Sequence, residues 1–468
     1  MCPDKISLTK QQAATVGSKS AQLHGNRAGW GNKQWMELDK LYRIQSRFTH
    51  PICLERGQGS RLSDVDNVEY LDFESGQVCA SVGHSNPAFI DLVKDQLDKL
   101  VQTGSSYVAT TQIEFQERLA RTSNNRFQKS FLACSGSESN EAALRLAKSY
   151  TGRSEVASFI GNYHGHTYGS WSITGFGGAA RTGYGPAMTG VAFLPTPFTY
   201  PVPGRVRFPH RDEEIIAACV RYCELALDST TSGCPAAIII ELVQSAAGIR
   251  EMPVSFLKAI RRMCDERGAL MIVDEAQTGI GRLGTWWGYE QFDVVPDIIT
   301  ASKTLGGGMP LSAVLVSADL ADEAVARGFR QSSSHTGDPL LAAAGLATLD
   351  IIEKDNLLEN VRDIGSYLKR KLTALCDESP VCGEVRGRGL LLGIEFVRAK
   401  STGEPNKAAT QVFTDECRRR GLLTGWWNVP YLAPNVVRLM PPYTISGAEA
   451  DQALAIIQAA LGKVVDVT

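Results

Sequence analysis

The chain has 468 residues, 48 basic and 50 acidic, with 43% hydrophobic and 21% charged side chains. A near-neutral balance argues against nucleic acid or an anionic membrane as the main partner, and no apolar run reaches the roughly 20 residues that span a bilayer. A soluble protein of two domains is the expectation at this length.

The first 35 residues are polar and lack the amphipathic face of an import peptide, so they read as an N-terminal arm, disordered or lying at a subunit interface. Residues 36–75 are expected to contribute to a smaller domain, and 76–345 to form a large one. From about 84 to 340 strands and helices alternate. One helix opens at Ser85-Asn86-Pro87, a cap followed by proline, with Phe89, Ile90, Val93, Leu97 and Leu100 on one face. Another runs over 139–150 and stops at Gly152. Runs at 236–241 and 270–274, either side of an amphipathic helix over 256–267, make a right-handed βαβ crossover and hence a parallel sheet. Further buried strands are expected at 297–301 and 312–317. After about 345 the rhythm changes to a long helical stretch, a strand at 389–397, a helix over 408–420, a strand at 436–440 and a last helix from Ser446. This portion, 346–468, reads as the smaller α+β domain completed by the N-terminal residues. The eleven cysteines include no CxxC pair and read as reduced core thiols of a cytoplasmic protein.

Ligands of open parallel sheets collect beyond the carboxyl ends of the strands. The residues there are Glu241, Asp274 and, just past the third strand, Lys303. Asp274 ends the run Leu-Met-Ile-Val, where a carboxylate is costly without a cation or donors. Taken singly, Asp274 reads as a cap and Lys303 as a solvated loop lysine. Taken together, an Asp opposing a pyridinium nitrogen and a Lys forming a Schiff base are what pyridoxal phosphate requires. Their spacing permits one strand–helix–strand step between them.

The segments FLACSGSESNEAALRLAK, GNYHGHT, MIVDEAQTGIGR, ITASKTLGGG and VRGRGLLLGIEF occur in that order. Here the chain resembles the class III aminotransferases, from about residue 45 to the C-terminus. The resemblance implies an α/β fold of the type I, aspartate-aminotransferase-like architecture, and a homodimer, possibly a dimer of dimers, with active sites at the interface. It assigns Gly136 and Ser137 to the cofactor phosphate, at a helix start whose N–H groups and dipole favour an anion. Tyr163 looks like the aromatic stacked on the pyridine ring, and Gln277 like the partner of the ring hydroxyl. Ser334 falls where the family usually has a threonine donated to the phosphate across the dimer. Glu241 is expected near the site, among the substrate-binding residues.

Three features are similar to the dialkylglycine decarboxylases within that family. Gln77 stands where those enzymes bind the carboxylate that is lost. Asp338 stands in SSHTGDPLLAAAG, near the position of their alkali cation, so a monovalent cation is a second expected cofactor. Arg438 lies inside an apolar strand, and its fork suits a bidentate carboxylate. The resemblance implies decarboxylation of a 2,2-dialkylglycine coupled to transamination of a 2-oxo acid such as pyruvate, giving CO₂, a ketone and an L-amino acid. The alternative is a class III aminotransferase, with an ω- or α-amino donor, that does not decarboxylate. Two departures bear on the substrate: Ala246 replaces an expected serine, and the stretch from Gly425 through Trp426, Trp427 and Asn428 to Tyr431 is bulkier than small dialkylglycines need.

Overall fold

In the computed structural model, the described residues are 27–44, 50–177, 181–198, 212–429 and 432–467; most of the expected N-terminal arm lies outside them. The first of two seven-stranded sheets has the spatial order Lys129–Ala133, Ser312–Val316, Ile298–Ala301, Leu270–Asp274, Ala237–Ile240, Val156–Phe159, Val191–Leu194. Ser312–Val316 is antiparallel to both of its neighbours and the other six strands run parallel. The central strands are buried on both faces, as a sheet covered by helices requires. Alternate side chains therefore feed two separate cores. Ile238, Ile240, Met271 and Val273 join one, while Ile239, Ile272, Ile298 and Val314 join the other, under the helix Gly136–Thr151.

The βαβ unit is present as Ala237–Ile240, the helix Val254–Arg267 and Leu270–Asp274, with Gly268 closing the helix at φ 59°. The connection from Asp274 to Lys303 departs from expectation. Among the described residues, its only helix is a single 3-10 turn, Gly288–Gln291. Glycines explain the difference, because Gly281 and Gly284 take φ of 97° and 92°, which no helix accommodates. The buried Glu275 carboxylate ties the loop instead, accepting from Thr278 Oγ1 and from the amides of Gly288 and Tyr289 at 2.6–2.8 Å.

The second sheet has the order Leu54–Gln58, Arg61–Asp64, Glu69–Phe73, Leu422–Trp426, Val436–Leu439, Leu391–Phe396, Cys382–Arg388. Residues 69–73 run parallel to 422–424, so early and late parts of the chain share one hydrogen-bonded layer. Two helices, Pro339–Lys354 and Leu357–Glu378, precede its C-terminal strands, with Asn356 between them at φ 54°. No described helix is long and apolar enough to cross a membrane.

The reading of all eleven cysteines as reduced thiols is overturned for two. Cys376 and Cys382 are joined in a disulfide. The helix Leu357–Glu378 ends and the chain reverses into the strand Cys382–Arg388, bringing their Cα atoms to 5.0 Å. A six-residue separation bridging a helix end and a strand start is not a spacing that marks a pair. Cys53, Cys79, Cys134, Cys219, Cys223, Cys234, Cys264 and Cys417 are free thiols.

One close approach fixes how the helix Leu357–Glu378 meets the body. A β-carbon at Gly365 would stand 2.3 Å from the Gly389 carbonyl oxygen, and one at Gly389 would stand 2.6 Å from the Arg282 carbonyl oxygen. Backbone cannot swing aside as a side chain can. Gly365→Ala is therefore expected to destabilise the protein by about 1–3 kcal/mol, read as a lower midpoint of thermal unfolding. An unchanged midpoint would mean that the helix shifts at no cost.

Candidate active site

The carboxyl ends of the central strands bring Glu241, Asp274 and Lys303 together. Asp274 is 5% exposed and its carboxylate is fully engaged. Oδ2 accepts from Asn140 Nδ2 and His164 Nδ1, both at 2.8 Å, and Oδ1 accepts from the Ala276 amide at 3.0 Å. Burial alone would raise its pKa. The His164 hydrogen bond, then the Lys303 charge and the Ala276 amide, outweigh burial and hold it below the usual carboxylate range. Asn140 and His164 lie in motifs quoted above, yet the sequence reading gave neither a role. Both stand in polar stretches of sequence, so no local signal marked them as buried. Asn140 is itself fixed, accepting from Thr300 Oγ1 at 2.8 Å and donating to the His164 carbonyl at 2.7 Å.

Glu241 behaves oppositely. Burial, then the neighbouring Asp274 charge, push its pKa well above the ordinary value, against the Tyr163 amide donated to Oε2 at 2.7 Å and the Lys303 charge. The two carboxyl groups are thus shifted in opposite directions, Asp274 toward its ionised form and Glu241 toward its protonated one.

Lys303 follows the strand Ile298–Ala301 and opens a 3-10 turn at φ 51°, a left-handed conformation that costs a lysine energy. Neighbouring groups hold the turn. Thr304 Oγ1 donates to the Val78 carbonyl at 3.0 Å and lies 2.8 Å from Ser81 Oγ, which accepts from buried Arg282 Nη2 at 2.6 Å. Arg282 also donates to the carbonyls of Leu390 and Pro441, and its guanidinium lies 4.5 Å from the centre of the Tyr443 ring. Burial pulls the Lys303 pKa below its ordinary value, although Asp274, Cys79 and Glu241 oppose the shift.

Gly136 opens the helix Gly136–Thr151, with Ser135 as its cap. A β-carbon at Gly136 would stand 2.8 Å from Ser302 Oγ, so glycine is what lets this helix end abut the residue before Lys303. Ser137 Oγ accepts from the His166 amide at 3.0 Å. Gln277 is buried, and its Oε1 accepts from Ser245 Oγ at 2.8 Å, which turns the amide nitrogen away from that partner. The Tyr163 ring lies 5.5 Å from Trp427 and 5.8 Å from Phe176, between centroids.

Arg438 is 3% exposed, in the strand Val436–Leu439. Its Nε and Nη2 are buried without a hydrogen-bond partner among the described residues. Burial brings its pKa down to about 10, with Glu74 opposing. Nε and Nη2 form one edge of the guanidinium, the edge that takes both oxygens of a carboxylate.

Gln77 sits in a short left-handed turn, where Ser75, Gly76, Gln77 and Val78 all have φ between 51° and 70°. Asp72 Oδ1 anchors the turn by accepting from the Glu74 and Ser75 amides, and Ser75 Oγ donates to the Met440 carbonyl at 2.6 Å. Two residues on, burial raises the Cys79 thiol and Lys303 and Arg282 lower it, so this turn lies within the field of Lys303. Ser334 is exposed, and its carbonyl accepts from Gln102 Nε2 at 2.6 Å. Asp338 is engaged by His335 Nδ1 at 2.8 Å, and no group of three or more His, Cys, Asp or Glu side chains able to hold a metal ion exists among the described residues.

Asp274→Asn keeps the shape and removes the charge. With cofactor bound, it is expected to leave the fold intact and lower turnover by at least about tenfold, the loss of one charge-assisted hydrogen bond of roughly 1.5–3 kcal/mol. Turnover and the visible absorption band are the measurements, and a variant normal in both would make Asp274 a structural residue.

Comparison with known proteins gives the family. The family model for aminotransferase class III matches residues 43–461. An uncharacterized aminotransferase of Schizosaccharomyces pombe is 36% identical over 433 residues, covering 91% of this chain and 94% of that protein. An acetylornithine aminotransferase of Caldanaerobacter subterraneus is 32% identical over 432 residues, covering 91% and 98%. The structure of an amine transaminase from an uncultivated Pseudomonas species, in its pyridoxal-phosphate-bound form, superposes with a TM-score of 0.81 at 29% identity, covering 90% of this chain and 99% of that one. The sheet order and these matches make the fold that of the type I pyridoxal-phosphate enzymes, and the chain belongs to the class III aminotransferases.

Proposed function

We propose that the protein is a pyridoxal-phosphate-dependent aminotransferase that exchanges an amino group between an α-amino acid and a 2-oxo acid. The observation that carries this is the buried Arg438 edge, whose two unpartnered donors match one carboxylate. The residues at the site fit the cofactor. Lys303 would anchor it covalently, Asp274 would face its ring nitrogen, and Gln277 its ring hydroxyl. Gly136 and Ser137 would cradle its phosphate at the helix end, and Tyr163 would cover its ring. When bound, pyridoxal phosphate supplies an electron sink for bond breaking at the substrate's α-carbon.

The chain's own groups do the rest. Lys303, its pKa lowered by burial, is suited to take a proton at the α-carbon and return one. Asp274, shifted toward its ionised form, would favour the protonated ring nitrogen, while burial shifts Glu241 toward its neutral form. Arg438 orients the carboxylate. In support of a homodimer, Leu92, Leu97, Leu100, Val101, Tyr107, Val108 and Ile113 are large, exposed apolar side chains crowded into one short stretch of chain.

Arg438→Ala removes the edge and should lower kcat/KM for pyruvate and for L-alanine by about 10- to 100-fold. The measurements are alanine formation from pyruvate with a range of amino donors, and pyruvate formation from L-alanine with a different 2-oxo acid. Unchanged kcat/KM for both substrates would sink the α-carboxylate assignment.

The decarboxylating reading has one supporting observation, the placement of Gln77 on a left-handed turn in the field of Lys303. A primary amide there can donate to a carboxylate held out of the plane of the cofactor, the bond orientation that releases CO₂. Gln77→Ile should then depress CO₂ release from 2-aminoisobutyrate by about 10- to 100-fold while transamination of L-alanine falls much less. Absence of CO₂ from any dialkylglycine with the unaltered enzyme leaves the aminotransferase reading alone.

A further inference from the structure

The Arg438 guanidinium is a buried cation, and the partner that the structure gives it is a ring. Its Cζ lies 4.8 Å from the centre of Trp427. The Trp427 ring meets Tyr163 edge-on, at 5.5 Å and 83°. On the neighbouring strand Gly425 pairs with Arg438, and a β-carbon there would stand 3.4 Å from Nη2. The guanidinium thus has an indole on one flank and a bare strand on the other. Arginine normally spreads over many rotamers, and a cation–π contact strengthens when water is excluded. Glu74 is the anion within electrostatic reach. Without the indole, the side chain would gain by turning toward Glu74 and away from the substrate.

We propose that Trp427 is a positioning residue that fixes the Nε–Nη2 edge of Arg438 toward the substrate space, and so selects substrates that bring a carboxylate to that edge. The contact of Trp427 with Tyr163 sets the distance between carboxylate site and cofactor face as one rigid stack, which favours short 2-oxo and α-amino acids over amines that need the arginine to withdraw. This proposal rests on the α-carboxylate reading of Arg438.

The test uses the holoenzyme with Trp427→Leu, Trp427→Phe and Arg438→Ala, after confirming that each retains the cofactor absorption band. Two readouts are compared: pyruvate affinity of the borohydride-reduced holoenzyme by calorimetry, and the KM and kcat of L-alanine with 2-oxobutyrate as acceptor, read as pyruvate formed. Trp427→Leu is expected to weaken pyruvate binding and raise KM by about tenfold, with kcat within about twofold of the unaltered enzyme. Trp427→Phe, which keeps a ring face, should recover most of the loss. Single-turnover reaction of 1-phenylethylamine, which has no carboxylate, should not fall in Trp427→Leu. Unchanged pyruvate affinity in Trp427→Leu, with Arg438→Ala impaired, overturns the proposal and leaves the carboxylate reading standing. Equal loss in kcat for both donors, unrescued by Trp427→Phe, also overturns it. If Arg438→Ala binds pyruvate normally, the carboxylate reading itself has failed.

Discussion

A buried carboxylate held toward its ionised form is the constraint around which the site is arranged. Burying Asp274 would neutralise it unless donors and a cation met its oxygens. Three donors do so, from Asn140, His164 and the Ala276 amide. Each comes from a different segment, so the charge ties a helix, a loop and a strand end to one point. The same requirement orients the donors. Asn162 Oδ1 accepts from Gln244 Nε2 at 2.8 Å, which turns its Nδ2 toward His164 Nε2, 3.3 Å away. His164 Nε2 accepts there, and its Nδ1 proton points to Asp274.

The second constraint is the strained turn at Lys303. A lysine at φ 51° persists only where its surroundings over-determine it. Arg282 supplies much of that determination through Ser81 and Thr304, and it joins the Lys303 turn to the left-handed turn of residues 75–78 through the Val78 carbonyl. These two left-handed turns therefore brace each other. Glycine has a narrower part here, needed at Gly136 for close approach and at Gly281 and Gly284 for φ.

Much of this was legible in the residues themselves. Short, continuously apolar runs ending in Glu241 and Asp274 mark the parallel core, and the Asn86 and Gly152 caps mark helix ends where they fall. Lys303, Asp274, Glu241 and Gln277 could be brought together because strand ends share one rim of the sheet. The loop of residues 275–297 could not be drawn, since a helix and an anchored glycine-rich loop of equal length have similar composition. Nor could the Cys376–Cys382 bond, which depends on a chain reversal at one helix end. Asn140 and His164 escaped because a buried hydrogen bond between distant residues leaves no periodic mark. Trp427 read as mere bulk, and its contact with Arg438 requires two strands in register.

The pairing of residues 69–73 with 422–424 carries a consequence for how the molecule comes into being on the ribosome. The first sheet is complete once residue 316 has emerged, so its hydrophobic layers can consolidate while synthesis continues. The second sheet must wait. Its first three strands leave the exit tunnel early and can pair with one another, but the edge of Glu69–Phe73 stays open until residues 422–439 are made. An unpaired edge held open that long is a template for the wrong neighbour, a second nascent chain included. The turn of residues 75–78, which follows that strand directly, gains its Met440 anchor only then. Nascent chains thus acquire the rim holding Asp274 and Lys303 first and the Arg438 wall last, and binding competence arrives only as translation ends.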